Sequence, residues 1–204
     1  MMPYQFNPVE EGSRVDFLRS LVDDVQSYDV FILHDIDSKQ TRERIPLYNE
    51  IGSLCERLGH KAFIPYRFVG FPDDPKEMRP RDTYVLINDI MLPQVSLVIA
   101  DIGVNSISAG MIDGHAKSLG KDQIYFYERG TRLETVKEVS EMFIGLPEEA
   151  RQEVFNQPRI LFHRDHALGS LYKYPKIKAL IEFDSQQELL RRMEETLRSY
   201  FNIN

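Results

Sequence analysis

The chain has 204 residues, of which 42% are hydrophobic and 28% are charged, a composition typical of a globular protein with one sizeable core. Its formal net charge is -7 and it has no dense lysine and arginine cluster, which argues against a nucleic-acid-binding protein. The single cysteine, Cys55, excludes an internal disulfide, and no apolar run approaches the roughly 18 residues of a membrane span. With no secretory leader visible, we expect a cytoplasmic protein that does not bind membranes.

The N-terminal half of the chain predicts two strand-and-helix units behind a first helix. Asp29–His34 and Lys61–Pro65 are short apolar runs that predict strands. A polar loop containing Asp35 and Asp37 follows the first of them. The apolar spacing predicts one helix from Ser13 to about Gln26, and another from a start between Thr41 and Pro46 to Gly59.

A proline-rich segment follows the second predicted strand. The run from Tyr66 to Arg81 contains Pro72, Pro75 and Pro80, and predicts a surface loop that is long enough to cover a substrate. Tyr66 and Phe68 could stack on a base, or they could pack this loop onto the domain. The next predicted helix covers Thr83 to Met91 and carries Asp89.

The stretch from Ser96 to Lys121 predicts a buried strand, a loop and a helix that Gly120 ends. Ser96–Ala100 is short and apolar, which is typical of a parallel strand buried on both faces. Asp101 follows it directly. Open α/β sheets bind ligands at the carboxyl ends of their strands, where a helix N-terminus favours an anion. We therefore expect the functional site here.

Polar residues at the predicted strand ends are the candidate binding residues. Asp101 follows the central strand, and Asp35 and Asp37 follow the first strand, so all three would face one crevice. The loop before the helix and its first turn could bind a phosphate, although small polar residues are equally typical of any tight strand-to-helix loop. The residues concerned are Ser106, Ser108 and Gly110.

The rest of the chain completes an alternation of strands and helices. Gln123–Tyr127 and Ala179–Phe183 predict strands, and a capping box at Ser185–Glu188 opens a final helix. The alternation indicates one α/β domain over residues 1–204, doubly wound and Rossmann- or flavodoxin-like, with a mostly parallel central sheet flanked by helices. Residues 131–178 are predicted to be an insertion or decoration. It contains predicted helices at Thr131–Phe143 and Pro147–Asn156, and a strand or extended run at Arg159–His163.

Two pieces of the sequence resemble the nucleoside 2-deoxyribosyltransferase superfamily, which includes 2′-deoxynucleoside 5′-monophosphate N-glycosidases. The first piece is the opening strand, loop and helix, ending in Leu58–Pro65. The second runs from Asp89 to Lys121, where Leu97–Ala100, Gly114, Ala116 and Gly120-Lys121 are in register with the family pattern. The resemblance implies a small nucleoside or nucleotide substrate, cleavage or transfer at its N-glycosidic bond, and a homo-oligomer. Nothing in the sequence indicates a cofactor or a metal.

The sequence departs from the family pattern where chemistry is expected. With Gly114 and Ala116 aligned, Ile112 occupies the position of the family's nucleophilic glutamate, and Ser96 replaces a strand-opening aspartate. The nearest carboxylate is Asp113, about 100° further round the helix. Asp113 could attack the anomeric carbon or act as a base, or it could be an early-helix acid that complements the helix dipole.

Two further residues have a functional and a structural interpretation. The resemblance gives Asp89 a role in holding the sugar, the base or the attacking group, whereas the alternative is a solvated helix residue. His115 could contact a phosphate or be a surface histidine. His163 and His166 have no third ligand nearby in the sequence and do not indicate a metal site.

Three functional hypotheses follow. The first is an N-glycosidase or deoxyribosyltransferase-like enzyme in which Asp113 supplies the carboxylate while Asp89 and Asp101 organise the sugar. The second, which Ile112 favours, is a non-catalytic nucleotide-binding sensor derived from such enzymes. The third is a TIR-like NAD hydrolase, which shares the flavodoxin-like layout and a helix carboxylate.

Overall fold

A computed structural model describes residues 8–34, 39–70, 78–104, 106–130 and 176–203. Asp35 and Asp37 lie outside these ranges, as do residues 71–77 of the proline-rich segment. Almost all of the predicted insertion at 131–178, with its helices and strand, also lies outside them. In the described part of the chain, no helix is long and apolar enough to span a membrane.

Within the described ranges, five strands form one sheet in the order β2-β1-β3-β4-β5, and every neighbouring pair is parallel. This arrangement confirms the predicted doubly wound α/β fold. The strand order reverses between β1 and β3, so the ligand-binding switch point of such a sheet lies at the carboxyl ends of these two strands. The strands are β1 (Tyr28–Leu33), β2 (Lys61–Phe63), β3 (Leu97–Asp101), β4 (Asp122–Glu128) and β5 (Ile177–Phe183).

Helices cover both faces of the sheet. Apolar side chains of α2 (Lys39–Arg57) and α7 (Gln186–Phe201) pack on one face, called here the α2 face. The opposite face, called the α6 face, is covered by α1 (Pro8–Ser20), a helical segment over 80–94 and α6 (Ile107–Ser118). The other elements are α3 (Tyr66–Val69), a 3-10 turn (Val25–Ser27) and the three parts of the 80–94 segment, which are α4 (Pro80–Tyr84), a π-helical stretch (Val85–Met91) and α5 (Leu92–Gln94).

The central strand is buried on both sides, as its sequence predicts. All five residues of β3 are buried. Leu97 and Ile99 pack on the α2 face, whereas Val98 and Ala100 pack on the α6 face. Asp101 continues this alternation because successive strand residues point to opposite faces, so its side chain is on the α2 face at the end of the strand.

Several helix ends lie where the sequence places them. The Ser106 hydroxyl caps α6 by accepting a hydrogen bond from the Ala109 amide, and Gly120 follows α6 with a φ of 69°. Such a positive φ is easily adopted by glycine alone, which explains the stop. Ser185 caps α7 by accepting from the Glu188 amide, as its capping-box pattern predicts.

Several boundaries differ from prediction. The helix predicted from Thr83 to Met91 is part of a longer helical segment over 80–94. The first helix covers Pro8–Ser20, so it begins and ends earlier than expected, and the proline-rich segment contains α3. Helix α2 begins at Lys39, which leaves Pro46 inside it. Proline removes one helical hydrogen bond, but Pro46 is exposed, and the residues after it bury against the sheet and hold the helix together.

Candidate functional site

A buried carboxylate lies at the carboxyl end of β3, beside the switch point. Asp101 is the last residue of β3 and is 2% exposed. Arg44 Nη1 and the Tyr48 hydroxyl each donate to its Oδ2 at 2.9 Å. The Gly103 amide donates to Oδ1, also at 2.9 Å. Arg44 and Tyr48 are four residues apart on α2, so both can point from one helix face to the same carboxylate.

Burial and hydrogen bonding act on Asp101 in opposite directions. Burial raises the pKa of Asp101 above its ordinary value, and the Arg44 guanidinium is the strongest opposing influence. Each of the three donors directs a hydrogen at the carboxylate, which favours its ionised form. We therefore describe the group as a carboxylate whose main role is to hold the guanidinium at the strand ends.

Arg44 connects the ends of two neighbouring strands. Its Nη2 lies 3.3 Å from Oε2 of Glu128, the last residue of β4. The Arg44 side chain is 14% exposed, whereas that of Glu128 is 55% exposed. One guanidinium therefore bridges a fully buried carboxylate and a solvent-accessible one.

Aromatic side chains lie around the end of β1. His34 directly follows this strand, is buried, and stacks on Tyr48 with ring centroids 4.7 Å apart and planes inclined by 10°. The Tyr66 ring lies 5.8 Å from His34, and its hydroxyl donates to Asn49 Oδ1. These contacts place Tyr66 beside His34 at the end of β1, and its role in stacking on a base stays a prediction.

Phe68 lies on the other side of the sheet. It stacks on Phe63 at a centroid distance of 4.7 Å and meets Tyr28 edge-on, within the apolar cluster of the α6 face. Tyr66 instead packs against the cluster of the α2 face. The structure therefore does not bring Tyr66 and Phe68 together, and Phe68 has the contacts of a packing residue.

The start of α6 lies directly after the loop that leaves Asp101. The Ser106 hydroxyl is 2.9 Å from that of Ser108, which is exposed, and Gly110 is buried in the first turn. Capping of the Ala109 amide accounts for Ser106 without a ligand. A phosphate-binding role for this turn stays a prediction.

Asp113 lies on the α6 face, on the opposite side of the sheet from the Asp101 cluster. It is 3% exposed, its Oδ2 pairs with Lys117 Nζ at 2.7 Å, and its Oδ1 accepts from the Tyr125 hydroxyl at 2.9 Å. Gln123 also bonds the Tyr125 hydroxyl. Burial raises the pKa of Asp113, with the Lys117 ammonium as the main opposing influence.

The partners of Asp113 show how far it lies from the strand ends. Gln123 is the second residue of β4 and Tyr125 is in its middle, so Asp113 faces the N-terminal half of that strand, away from its carboxyl end. It belongs to the packed layer between α6 and the sheet. Its role as the attacking group stays a prediction, and it requires the side chain to leave both of its partners.

The remaining predicted residues do not contact the Asp101 cluster. Asp89 is exposed on the π-helical stretch, whereas its neighbour Asn88 is buried and donates to the Tyr84 carbonyl. His115 is half-buried near the end of α6, with the Ser118 hydroxyl as its neighbour. Ile112 lies in the apolar cluster of the α6 face, where its side chain is part of the core.

Several solved structures match this fold, and two of them indicate how close the likeness is. A CMP N-glycosidase from Clostridium botulinum, BcmB, matches with a TM-score of 0.50 and 15% identity, covering 82% of this chain and 98% of that chain. The chain shares its fold with an N-glycosidase. A conserved protein from Enterococcus faecalis V583 matches with the same TM-score and coverage at 11% identity. No protein-family model and no curated protein matches the sequence, so the likeness concerns the fold.

Several residues of this cluster are not among those predicted from the sequence. A polar residue at the carboxyl end of a parallel strand is the signal that identified Asp101, and it applies equally to His34 and Glu128. Arg44 and Tyr48 carry a weaker signal, because they lie near a helix start whose position the sequence leaves open. The sequence does not predict that α2 crosses the end of β3; the structure shows this through the contacts of Arg44 and Tyr48 with Asp101.

No metal site is apparent in the ranges that the structure describes, because no three His, Cys, Asp or Glu side chains in them are grouped to hold an ion. The donors around Asp101 are an arginine, a tyrosine and a backbone amide, all of which are occupied in binding the carboxylate. These three donors are suited to holding the negative charge of Asp101 in place inside the protein.

Proposed function

We propose that this protein binds a nucleoside or nucleotide at the carboxyl edge of its sheet and cleaves or transfers the ligand's N-glycosidic bond. The observation that carries the proposal is the buried Asp101, bound by Arg44 and Tyr48 at the switch point of a fold shared with a CMP N-glycosidase. Ligands of open α/β sheets bind at this point, and buried carboxylates with perturbed pKa values are concentrated at functional sites.

In this proposal, Asp101 fixes the site and aromatic side chains receive the base. The Asp101 carboxylate holds Arg44 in one orientation, so the guanidinium is preorganised when a ligand arrives. The stacked pair of His34 and Tyr48 gives the site a rigid wall. Tyr66, half-buried next to His34, supplies the ring surface on which a base can stack.

The other predicted contacts enter the proposal as expectations. Ser106, Ser108 and Gly110 begin α6 and offer hydroxyl and amide donors to a phosphate. Asp35 and Asp37 follow β1 in the sequence and would face the same edge. Because the resemblance implies shared sites between subunits, we also propose a homo-oligomer, which light scattering of the purified protein would test.

Release of free base, measured by chromatography, tests the proposal. The protein would be incubated with ribonucleosides, deoxyribonucleosides, their 5′-monophosphates and NAD, beside the variants Asp101→Asn and Asp113→Asn. We expect base release from at least one compound and a loss of about 10²-fold or more in Asp101→Asn, because the site loses the charge that positions Arg44. Loss of release in a folded Asp113→Asn variant would instead support the sequence prediction for Asp113.

A matched control separates the site from a general effect of removing a charge. Asp184 directly follows β5, is exposed, and pairs with Arg129 at 2.6 Å, outside the Asp101 cluster. Asp184→Asn should keep the activity of the unmodified protein. If the folded protein releases no base from any compound, the enzyme proposal is contradicted.

Ile112 favours a second function, a nucleotide-binding sensor without catalysis. The sequence resemblance aligns Ile112 with the family's attacking group, and the Ile112 side chain is buried in the core. Such a protein would show ligand-induced thermal stabilisation with one compound of the panel and no turnover. The NAD sample separates the third hypothesis, because a TIR-like hydrolase would release nicotinamide.

A further inference from the structure

The proposed reaction needs a carboxylate that can reach the anomeric carbon of the ligand. Ile112 cannot supply one, and Asp113 is buried against Lys117 and Tyr125 on the other face of the sheet. Asp101 is at the correct edge, but it is buried and both of its oxygens accept hydrogen bonds. An attacking group must have a free lone pair and access to the substrate.

Glu128 has both properties. It ends β4 at the carboxyl edge, and its side chain is 55% exposed. Among the described residues, the Glu128 carboxylate makes one polar contact, with Arg44 Nη2 at 3.3 Å. Most of the acceptor capacity of the Glu128 carboxylate is therefore available to a ligand.

The register of the sheet places Glu128 next to the buried cluster. Asp101 on β3 is paired with Phe126 on β4. Glu128 is two residues further along, so it is on the same α2 face and one step beyond Asp101 toward the strand ends. Arg44 contacts both carboxylates, which ties this accessible carboxylate to the rigid part of the site.

We propose that Glu128 is the nucleophile of the N-glycosidic reaction, with Arg44 and Asp101 positioning it; this inference rests on the proposed function. A Glu128 oxygen bonds to C1′ of the sugar while the bond from C1′ to the base nitrogen breaks. The electron pair of that bond leaves with the base, which takes a proton from solvent. The product of this step is a sugar ester of Glu128.

A second step releases Glu128. In hydrolysis, a water oxygen bonds to C1′, the ester bond breaks, Glu128 regains its electron pair as a carboxylate, and the proton of the water passes to solvent. In transfer, the nitrogen of a second base takes the place of water and loses its proton. Both routes balance without a cofactor.

Four proteins test this assignment on the best substrate of the panel: the unmodified chain, Glu128→Gln, Glu128→Ala and Glu182→Gln. Glu182 is a matched control because it is a carboxylate on the neighbouring strand β5, paired with Tyr127 one residue before Glu128, and its Oε2 lies 3.8 Å from Arg129 Nε. We expect Glu128→Gln to lower kcat by about 10³-fold or more, with KM changed only a few-fold. Glu182→Gln should keep the full rate, and thermal unfolding checks that all variants fold.

Two further readouts distinguish a nucleophile from a residue that only supports the site. Azide should restore turnover in Glu128→Ala by entering the space of the missing carboxylate, with a glycosyl azide as product. A slowly reacting 2-fluorinated analogue of the same substrate should leave its sugar attached to the unmodified protein. Mass spectrometry of peptides should then locate the sugar on Glu128.

The outcomes separate the two proposals. A loss of kcat in Glu128→Gln, rescue of Glu128→Ala and a sugar adduct on Glu128 support the assignment. Full turnover in Glu128→Gln, or an adduct on another carboxylate such as Asp101 or Asp113, overturns it and leaves the proposed N-glycosidic activity standing. If the unmodified protein releases no base, both proposals are overturned together.

Discussion

Asp101 and Asp113 have nearly the same chemical surroundings in two different places. Each is buried, each accepts a tyrosine hydroxyl at 2.9 Å, and each pairs with a cation from a helix. Asp101 lies on the α2 face at the end of β3, whereas Asp113 lies on the α6 face against the N-terminal half of β4. Burial raises the pKa of both carboxyl groups.

Burial and the kind of hydrogen-bonding partner therefore do not by themselves identify a functional site. What differs is the position relative to the strand ends, where an open α/β sheet leaves room for a ligand. The donors also differ: Asp101 faces an arginine and a backbone amide that can only donate, whereas the Lys117 side chain beside Asp113 is 22% exposed and can turn to solvent. The two aspartates should therefore respond differently to the same substitution.

The largest effect is expected for Asp101→Asn. The amide nitrogen of the new asparagine replaces one of the two carboxylate oxygens. Its hydrogens then face either the Gly103 amide or Arg44, which are themselves donors, so that hydrogen bond is lost. An unsatisfied buried pair of this kind costs about 1–3 kcal/mol in the free energy of unfolding. Urea unfolding measures this loss, and the thermal stabilisation by the best ligand should disappear with it.

A smaller effect is expected for Asp113→Asn. Its amide can keep the Tyr125 hydroxyl as a partner, because a hydroxyl both donates and accepts, while Lys117 moves to solvent. Removing one partner of a buried ion pair is costly when the other charge stays buried, but the Lys117 side chain is 22% exposed and can reach solvent, so the free energy of unfolding should change by no more than about 1 kcal/mol. Ligand-induced stabilisation should be retained, and its loss in a folded variant would remove the distinction between the two aspartates.

The pH dependence of stability gives a second measurement on Asp113→Asn. A raised pKa means that the folded protein holds the Asp113 proton more tightly than the unfolded chain, whose carboxyl has the ordinary value of 3.8. Below that pH both states are protonated, and above it the fold loses stability as the pH rises toward the native pKa. Asparagine does not ionise, so as the pH rises above 3.8 urea unfolding should show a weaker decline of stability in the variant.

Effects on stability of at most about 1 kcal/mol are also expected for two glycines, one beside each aspartate. A Cβ on Gly103 would lie 3.1 Å from Asp101 Oδ1, whereas a Cβ on Gly114 of α6 would have no atom within 4 Å. Gly103→Ala should therefore destabilise the protein by about 1 kcal/mol and weaken ligand binding. Gly114→Ala should stabilise it by about 0.5–1 kcal/mol through helix propensity and leave binding unchanged, and equal effects would contradict the comparison.

Much of the fold is predictable because local signals and burial agree. The apolar run before Asp101 can be stable only as a buried strand, and Gly120 and Ser185 mark helix ends through conformations and hydrogen bonds that a short sequence determines. Pro46 is misleading for the opposite reason. Packing of the residues after it outweighs the local cost of a proline in the helix.

The site is less predictable because it depends on which elements cross. Asp101 could be found from its place after a strand, whereas its partners Arg44 and Tyr48 come from a helix more than fifty residues earlier. Helical spacing predicts that Asp113 points about 100° away from Ile112 on α6. It does not predict that Lys117 and Tyr125 contact Asp113 in a buried layer. Contacts between distant elements are set by the packing of the whole sheet.

The pairing of β4 with β5 has a consequence for how the protein is made. Tyr125 pairs with Leu180, 55 positions later, whereas Phe31 of β1 pairs with Phe63 of β2 only 32 positions later. Closing the longer loop costs more chain entropy, so we expect β5 and α7 to join the sheet after β1 and β2 have paired during folding. Until they do, Ile124 and Phe126 on the unpaired edge of β4 lack the cover of α7, and this edge is where newly synthesised chains would associate.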